Sequence, residues 1–364
     1  MNVRTVGVEE ELLLVDAESG DPRALSTAVL ALAERRADGD SVFESELHDQ
    51  QLEFATEPRS KMGDLAEEIR RWRAEAADSA AEAGAAVAAL ATSPMPVSPS
   101  IGEDERYRWL AQRFGLTAQE QLTCGCHVHV SVDSDEEGVA VLDRVRPWLP
   151  VLLALSANSP FWQGRDTSYH SYRSRVWGRW PSAGPVDLFG SADRYHKEVR
   201  ALVDTGVLRD KGMIYFDARL SHRYPTVEFR VADVCLDPAD TVLLATLARG
   251  LVETASRDWR AGDPPEPVPV SVLRMASWQA ARSGMEGQLL HPLTMRPEPA
   301  ADVAHALLTH VGDALEDSGD LGTADMALRA VLTRGTGARF QRELLEGSDS
   351  LRTVVTECAA RTRG

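Results

Sequence analysis

Glu9 and Glu11 stand two residues apart in Val6-Gly7-Val8-Glu9-Glu10-Glu11. In an extended chain that spacing puts both carboxylates on one face and Val6, Val8, Leu12 and Leu14 on the other. Like charges held so close repel each other unless a divalent cation sits between them, so the pair is a candidate metal cradle, with an exposed acidic edge as the plainer alternative. Glu10 falls by the same parity on the apolar face, where it needs an arginine or an opening to water. Glu46 and Glu53 offer a second cradle. A two-residue turn at Asp49-Gln50 sets His48 opposite Gln51, Leu47 opposite Leu52 and Glu46 opposite Glu53, whereas a slipped register separates the two glutamates.

Imidazoles and guanidiniums extend the set. From Leu122 to Val132, Cys124, Cys126, Val128 and Val130 share one face, leaving His127 and His129 together on the other. The sulfurs point away from the imidazoles, which argues against a closed tetrahedral zinc site and for buried, inert thiols. Asp217, Arg219 and Ser221 share one strand face, as do Thr226, Glu228 and Arg230. Carboxylates beside guanidiniums suit a metal-phosphate site or a salt-bridged sheet. Between Asp166 and Pro181 lies a polar, aromatic stretch without a clean period, carrying Arg173, Arg175, Arg179, Tyr169, Tyr172, Trp177 and Trp180. It reads as a long loop whose Arg173 and Arg175 clamp a carboxylate or phosphate, or as a solvated surface.

Strands and helices must hold these groups. Val3 to Val15, Val42 to Thr56 and Leu122 to Val132 read as strands, and Ile214 to Leu220 and Thr226 to Val234 as a hairpin. Asp64 is the expected N-cap of an Ala-rich helix from Leu65 to about Leu90, and further helices are predicted over Val139 to Ala157 and Asp237 to Thr254. After the Pro-rich passage Asp263 to Pro269 the pattern is helical, punctuated by Gly and Pro. Without regular βαβ alternation the expected class is α+β with a mainly antiparallel sheet.

The 364 residues are 43% hydrophobic and 26% charged, enough to bury a core. A formal net charge of −17 disfavours nucleic acid and anionic membranes as partners. Small anions are still admissible, since bound Mg²⁺ reverses the local field. Four cysteines make no disulfide framework, and the opening residues carry no secretory apolar core, so a cytoplasmic setting is expected. No glycine-rich phosphate cradle of the GxxxxGK[ST] or GxGxxG type occurs.

Five segments, in this order, resemble the glutamate-cysteine ligase type 2 family, carboxylate-amine ligases related to glutamine synthetase. They are Val6 to Glu11, Gln51-Leu52-Glu53-Phe54, Cys124-Gly125-Cys126-His127-Val128-His129-Val130, Asp166-Thr167-Ser168, and Pro225-Thr226-Val227-Glu228-Phe229-Arg230-Val231. The resemblance covers most of the chain. It implies one catalytic unit over residues 1–364, a funnel-shaped antiparallel sheet backed by helices, with residues 270–364 as a helical cap. It also implies ATP and Mg²⁺ on the polar side of the sheet. Carried over by position, Glu9, Glu11, Glu46, Glu53, His127 and Glu228 would be metal ligands, and Arg219 and Arg230 would contact phosphate or the acyl group; His129 would lie behind the ligands. The implied reaction joins a glutamate carboxylate to an amine through an acyl phosphate, with small-molecule substrates and a homo-oligomer as an open possibility. From the residues alone, a metal-dependent amide hydrolase and a non-catalytic binding module are the competing classes.

Overall fold

Alternating apolar residues from Val6 to Leu14 form the ten-residue strand β1 (Val6–Val15) in the computed structural model, which describes residues 3–36 and 41–363. It pairs antiparallel with β3 (Gln51–Ala55) on one side and with β4 (Ala86–Ala88) and β5 (Gly125–Ser131) on the other. Beyond β3 lies β2 (Phe43–Ser45). A small pair, β6 (Phe161–Trp162) with β7 (Arg165–Asp166), stands apart, and β8 (Ala218–Leu220) joins the main sheet through β9 (Thr226–Asp233). The strand order is β2-β3-β1-β5-β9-β8, with β4 off this path against β1. The protein is α+β, as expected.

One sheet face is apolar. Val6, Val8, Leu12, Leu52, Phe54, Val130 and Val227 are almost wholly buried there, against the Pro238–Ala261 helix, the Leu149–Ser156 helix and, beyond them, the Met62–Glu82 helix. Glu10 sits on this face and is satisfied by Arg73. The guanidinium donates from Nε and Nη2 to the two carboxylate oxygens at 2.7 Å each, and Thr241 Oγ1 donates to Oε1 at 2.6 Å. Both partners of that ion pair are 0% exposed. Removing one would strand a buried charge at a cost of about 3–5 kcal/mol.

Several elements depart from the sequence expectation. The Ala-rich helix spans Met62–Glu82 with Lys61 at its N-cap, so Asp64 lies in its first turn. Gly84, at φ +74°, turns the chain, and the remaining alanines become β4 because pairing with Leu13–Val15 of β1 outweighs their helical propensity. The predicted Val139 to Ala157 helix is two helices, Asp135–Val145 and Leu149–Ser156, joined by a 3₁₀ turn at Arg146–Trp148 that contains Pro147. The stretch predicted as a loop holds a short helix, Arg173–Trp177. The C-terminal region is helical apart from β10 (Gln288–Leu290) and β11 (Pro297–Pro299), which pair with each other.

The last helix, Leu351–Thr362, anchors on β4: Ala89 N donates to Thr362 Oγ1 at 2.8 Å, and Val354, Val355 and Cys358 are fully buried. Among the described residues no helix is long and apolar enough to cross a membrane.

Candidate active site

Strand register assembles the polar face. Glu11 stands across from Glu53, Glu9 from His127, His129 from Glu228, and Glu228 from Arg219. Because side chains at paired positions point to the same side of a sheet, four strands deliver their carboxylates and imidazoles into one space. That space is a cleft of about 750 Å³, lined by Glu9, Glu11, Glu46, Glu53, His127, His129, Glu228, Arg219 and Arg230 among others.

Three overlapping triads result: Glu9 with His129 and Glu228, Glu9 with Glu53 and His127, and Glu11 with Glu46 and Glu53. In each, the potential ligand atoms lie within 4.8 Å of one another. Glu46 arrives by a different route from the one expected. Glu44, not Glu46, stands opposite Glu53, because the connection between β2 and β3 is longer than a two-residue turn. Glu46 reaches Glu53 from that connection, where its Oε2 accepts from Leu47 N at 3.0 Å.

The groups perturb one another strongly. Burial and then the charges of Glu46, Glu9 and Glu11 push the Glu53 carboxyl well above the usual range. Burial and Glu46 push Glu11 up to about 7, although Gly125 N donates to its Oε2 at 2.6 Å. For Glu9 burial works in the same upward direction, but His127 and His129 overcome it and hold the carboxyl well below its ordinary value. Burial and the Arg230 charge push His127 down to about 4, which keeps the imidazole neutral. Its Nδ1 meets Glu9 Oε2 at 3.0 Å, and its Nε2 has no hydrogen-bond partner among the described residues. A neutral imidazole fixed through one nitrogen, with the other free among carboxylates, is a donor set that fits a hard divalent cation.

At the far side of the cleft Glu228 accepts from Arg219 Nε at 2.7 Å and Nη2 at 3.1 Å, and from Arg230 Nη1. These guanidiniums hold the Glu228 carboxyl well below its ordinary value despite burial. Arg230 lies 5.7 Å from the Trp177 ring centroid and 5.9 Å from that of Tyr215. Trp177, Trp180 and Tyr215 line the cleft there.

Two candidate anion contacts are elsewhere. Arg173 is 1% exposed, with its guanidinium packed on Gly125, and does not line the open cleft. Arg175 is exposed and outside it. The Arg173–Trp177 helix turns these two side chains in opposite directions, inward and outward, a parity that an aperiodic reading missed. Asp217 also does not line the cleft; its carbonyl accepts from Arg230 N, continuing the β8–β9 register one residue before β8 begins. Arg106 and Tyr107, on the Glu105–Phe114 helix, line the cleft and were not singled out from sequence. The Tyr107 hydroxyl donates to Ser45 O at 2.8 Å, and Arg106 pairs with Asp210. Nothing local marks either residue.

The sequence profile of glutamate-cysteine ligase family 2 matches residues 5–357. The chain belongs to this family. As a glutamate-cysteine ligase family 2 member it is a ligase that forms carbon–nitrogen bonds. A Streptomyces avermitilis protein with the provisional name glutamate–cysteine ligase 2-1 is 68% identical over 362 residues, covering 100% of both chains. Among solved structures, a bifunctional glutathione synthetase from Pasteurella multocida superimposes with a TM-score of 0.72 at 16% identity, covering 99% of this chain and 52% of that one. A glutamate–cysteine ligase from Francisella tularensis in complex with AMP gives 0.69 at 15% identity, covering 100% and 89%. At such identities these two likenesses concern the fold, which this family 2 ligase shares with them.

Proposed function

We propose that the protein is an ATP-dependent ligase that joins the side-chain carboxylate of an amino acid such as glutamate to an amine such as that of cysteine, through a γ-glutamyl phosphate. The observation that carries this reading is the cleft itself, where three overlapping Glu/His triads face two arginines. Glu9, Glu11, Glu46, Glu53, His127 and Glu228 would hold Mg²⁺, which when bound neutralises triphosphate charge.

Arg219 and Arg230 supply donors to the phosphate oxygens and to the oxygen on which charge develops during acyl transfer. In the structure Glu228 accepts from both guanidiniums and holds them together at this end of the cleft. The substrate carboxylate attacks the γ-phosphorus, ADP departs, and the amine nitrogen then attacks the acyl carbon and expels phosphate. Trp177, Trp180 and Tyr215 cover this end of the cleft and keep water from the acyl phosphate. The AMP held by the Francisella ligase supports a nucleotide substrate. Four buried, unpaired thiols are compatible with a cytoplasmic setting.

The test is ADP release by purified protein with Mg²⁺ and ATP, against a panel of amino acids and amines. ADP should appear only when a carboxylate and an amine are both present. Amide cleavage without ATP would make the cluster a metal-dependent hydrolase instead, and binding without turnover would make it a ligand-binding module.

A further inference from the structure

The unpartnered buried nitrogens of His127, His129 and Arg230 lie among the carboxylates and guanidiniums of the cleft, where cation and phosphate chemistry can use them. Two other buried atoms on residues lining the cleft have no partner among the described residues and no place in that chemistry: Gln121 Oε1, an acceptor, and Trp180 Nε1, a donor. Each residue is 3% exposed. Gln121 Nε2 donates to Thr123 Oγ1 at 3.4 Å, which holds the amide with its oxygen free. Glu120 and Arg179, the residues before these two, form an ion pair at 2.7 Å, so both orphan atoms belong to one wall. Burying a donor and an acceptor unpaired is costly, and a ligand that carries the complementary pair recovers the loss.

That wall closes the cleft. Where Ala55, Glu57, Arg223 and Tyr224 line it the cleft is open to solvent, with room for the larger nucleotide, whereas Leu110, Thr123, Trp180 and Tyr215 are buried. The Trp180 and Tyr215 ring centroids are 5.5 Å apart and those of Tyr215 and Trp177 4.9 Å, so the surface beside the orphan atoms is aromatic. Arg106, whose charge acts on Tyr215, is already paired with Asp210. Such surroundings hold a flat or branched apolar body and disfavour a charged one. They also favour the reactive form of an amine, because burial among apolar groups disfavours ammonium. A neutral amide oxygen orients one N–H without holding the nitrogen protonated, as a carboxylate would. Arg230 lies 5.7 Å and 5.9 Å from the Trp177 and Tyr215 ring centroids, so an amine seated here is beside the guanidinium that the ligase reading assigns to the acyl phosphate.

We propose that this closed end is the acceptor subsite, and that the acceptor is an α-amino acid with a large apolar or aromatic side chain in preference to cysteine. Gln121 Oε1 accepts from the amine, Trp180 Nε1 donates to the carboxylate of the same molecule, and the side chain packs on Trp177 and Tyr215. The nitrogen adds to the acyl carbon, phosphate departs with the electron pair of the C–O bond, and the surplus N–H proton leaves with the phosphate. This inference rests on the ligase reading above and names the class of amine that it left open.

ADP release with saturating Mg²⁺, ATP and L-glutamate, against L-phenylalanine, phenethylamine and L-cysteine, tests the proposal. Phenylalanine should exceed both others in kcat/KM by about tenfold or more, since phenethylamine lacks the carboxylate and cysteine the ring. Trp180→Phe keeps a ring and removes the donor; it should raise the KM for phenylalanine about tenfold and leave those for ATP and phenethylamine unchanged. Gln121→Met should raise the KM for both of these amines and not that for ATP. A kcat/KM for cysteine equal to or above that for phenylalanine overturns the proposal, as does a Trp180→Phe protein with the parental KM for phenylalanine or an equal rise for phenethylamine. If the variants do not fold, the order of the three amines with the unmodified protein decides. No ADP with any amine refutes the ligase reading itself, an outcome distinct from a wrong order among amines that do react.

Discussion

Glu53 illustrates how a residue can burden a fold and serve a site. Buried among Glu46, Glu9 and Glu11, it adds like charge that only a proton or a cation relieves. Glu53→Gln should therefore stabilise the metal-free protein by about 1 kcal/mol and reduce ADP release more than about a hundredfold. Thermal unfolding in chelator beside a turnover assay checks both; a less stable variant with normal turnover would contradict the metal assignment. Glu11 adds a pH dependence. Its carboxyl titrates at about 7 in the folded protein against an ordinary 4.5, so between these values the unfolded chain binds fewer protons. The metal-free fold then loses stability as pH rises through that window. A cation competes with the same proton, and Mg²⁺ affinity should rise from pH 6 to pH 8 by up to about tenfold per unit below the Glu11 midpoint. Titration calorimetry in two buffers of different ionisation enthalpy would detect the released proton; affinity unchanged over the range would refute the assignment.

At the scale of elements, β5 depends on a glycine. A Cβ on Gly125 would lie 2.2 Å from Arg173 Nη2 and 2.9 Å from its Cζ, and a guanidinium that is 1% exposed has nowhere to retreat. Gly125→Ala should cost about 1–3 kcal/mol and lower activity as well, because Gly125 N holds Glu11 Oε2. Arg175→Ala, on the exposed side of the same short helix, should change stability by less than about 0.5 kcal/mol. Urea titration of the two variants separates these expectations, and a Gly125→Ala midpoint equal to the parent's would mean that Arg173 is not confined. Legibility differed among elements for reasons visible here. The face parity of β1, β5 and β9 could be read because alternation is intrinsic to an extended chain, and so Glu9, Glu11, His127, His129, Glu228 and Arg230 fell on the expected sides. The β2–β3 register could not, since it depends on the length of the connection, and Glu44 took the place expected of Glu46.

For the whole molecule, the polar face is only as firm as what lies behind and beside it. The Leu351–Thr362 helix buries Val354, Val355 and Cys358 and accepts the Ala89 N–H, while Arg73 Nη1 reaches Thr362 O at 3.5 Å. Deleting residues 350–364 should cost on the order of 5 kcal/mol, from about 1.5–3 kcal/mol for each large apolar side chain exposed plus the stranded amide. Denaturant unfolding that leaves the midpoint unchanged would contradict that account.

What the chain alone determined is local: which side chains alternate onto which face, where acid, imidazole and guanidinium recur at strand spacing, and the family motifs they compose. Tertiary structure decided which strands are neighbours, that Glu10 meets Arg73 and not solvent, that an alanine run pairs as β4, and that Arg173 is walled in while Arg106 and Tyr107 line the cleft. Alternation follows from the covalent geometry of each residue. The choice of partner follows from packing free energy summed over groups distant in sequence, which no local pattern encodes.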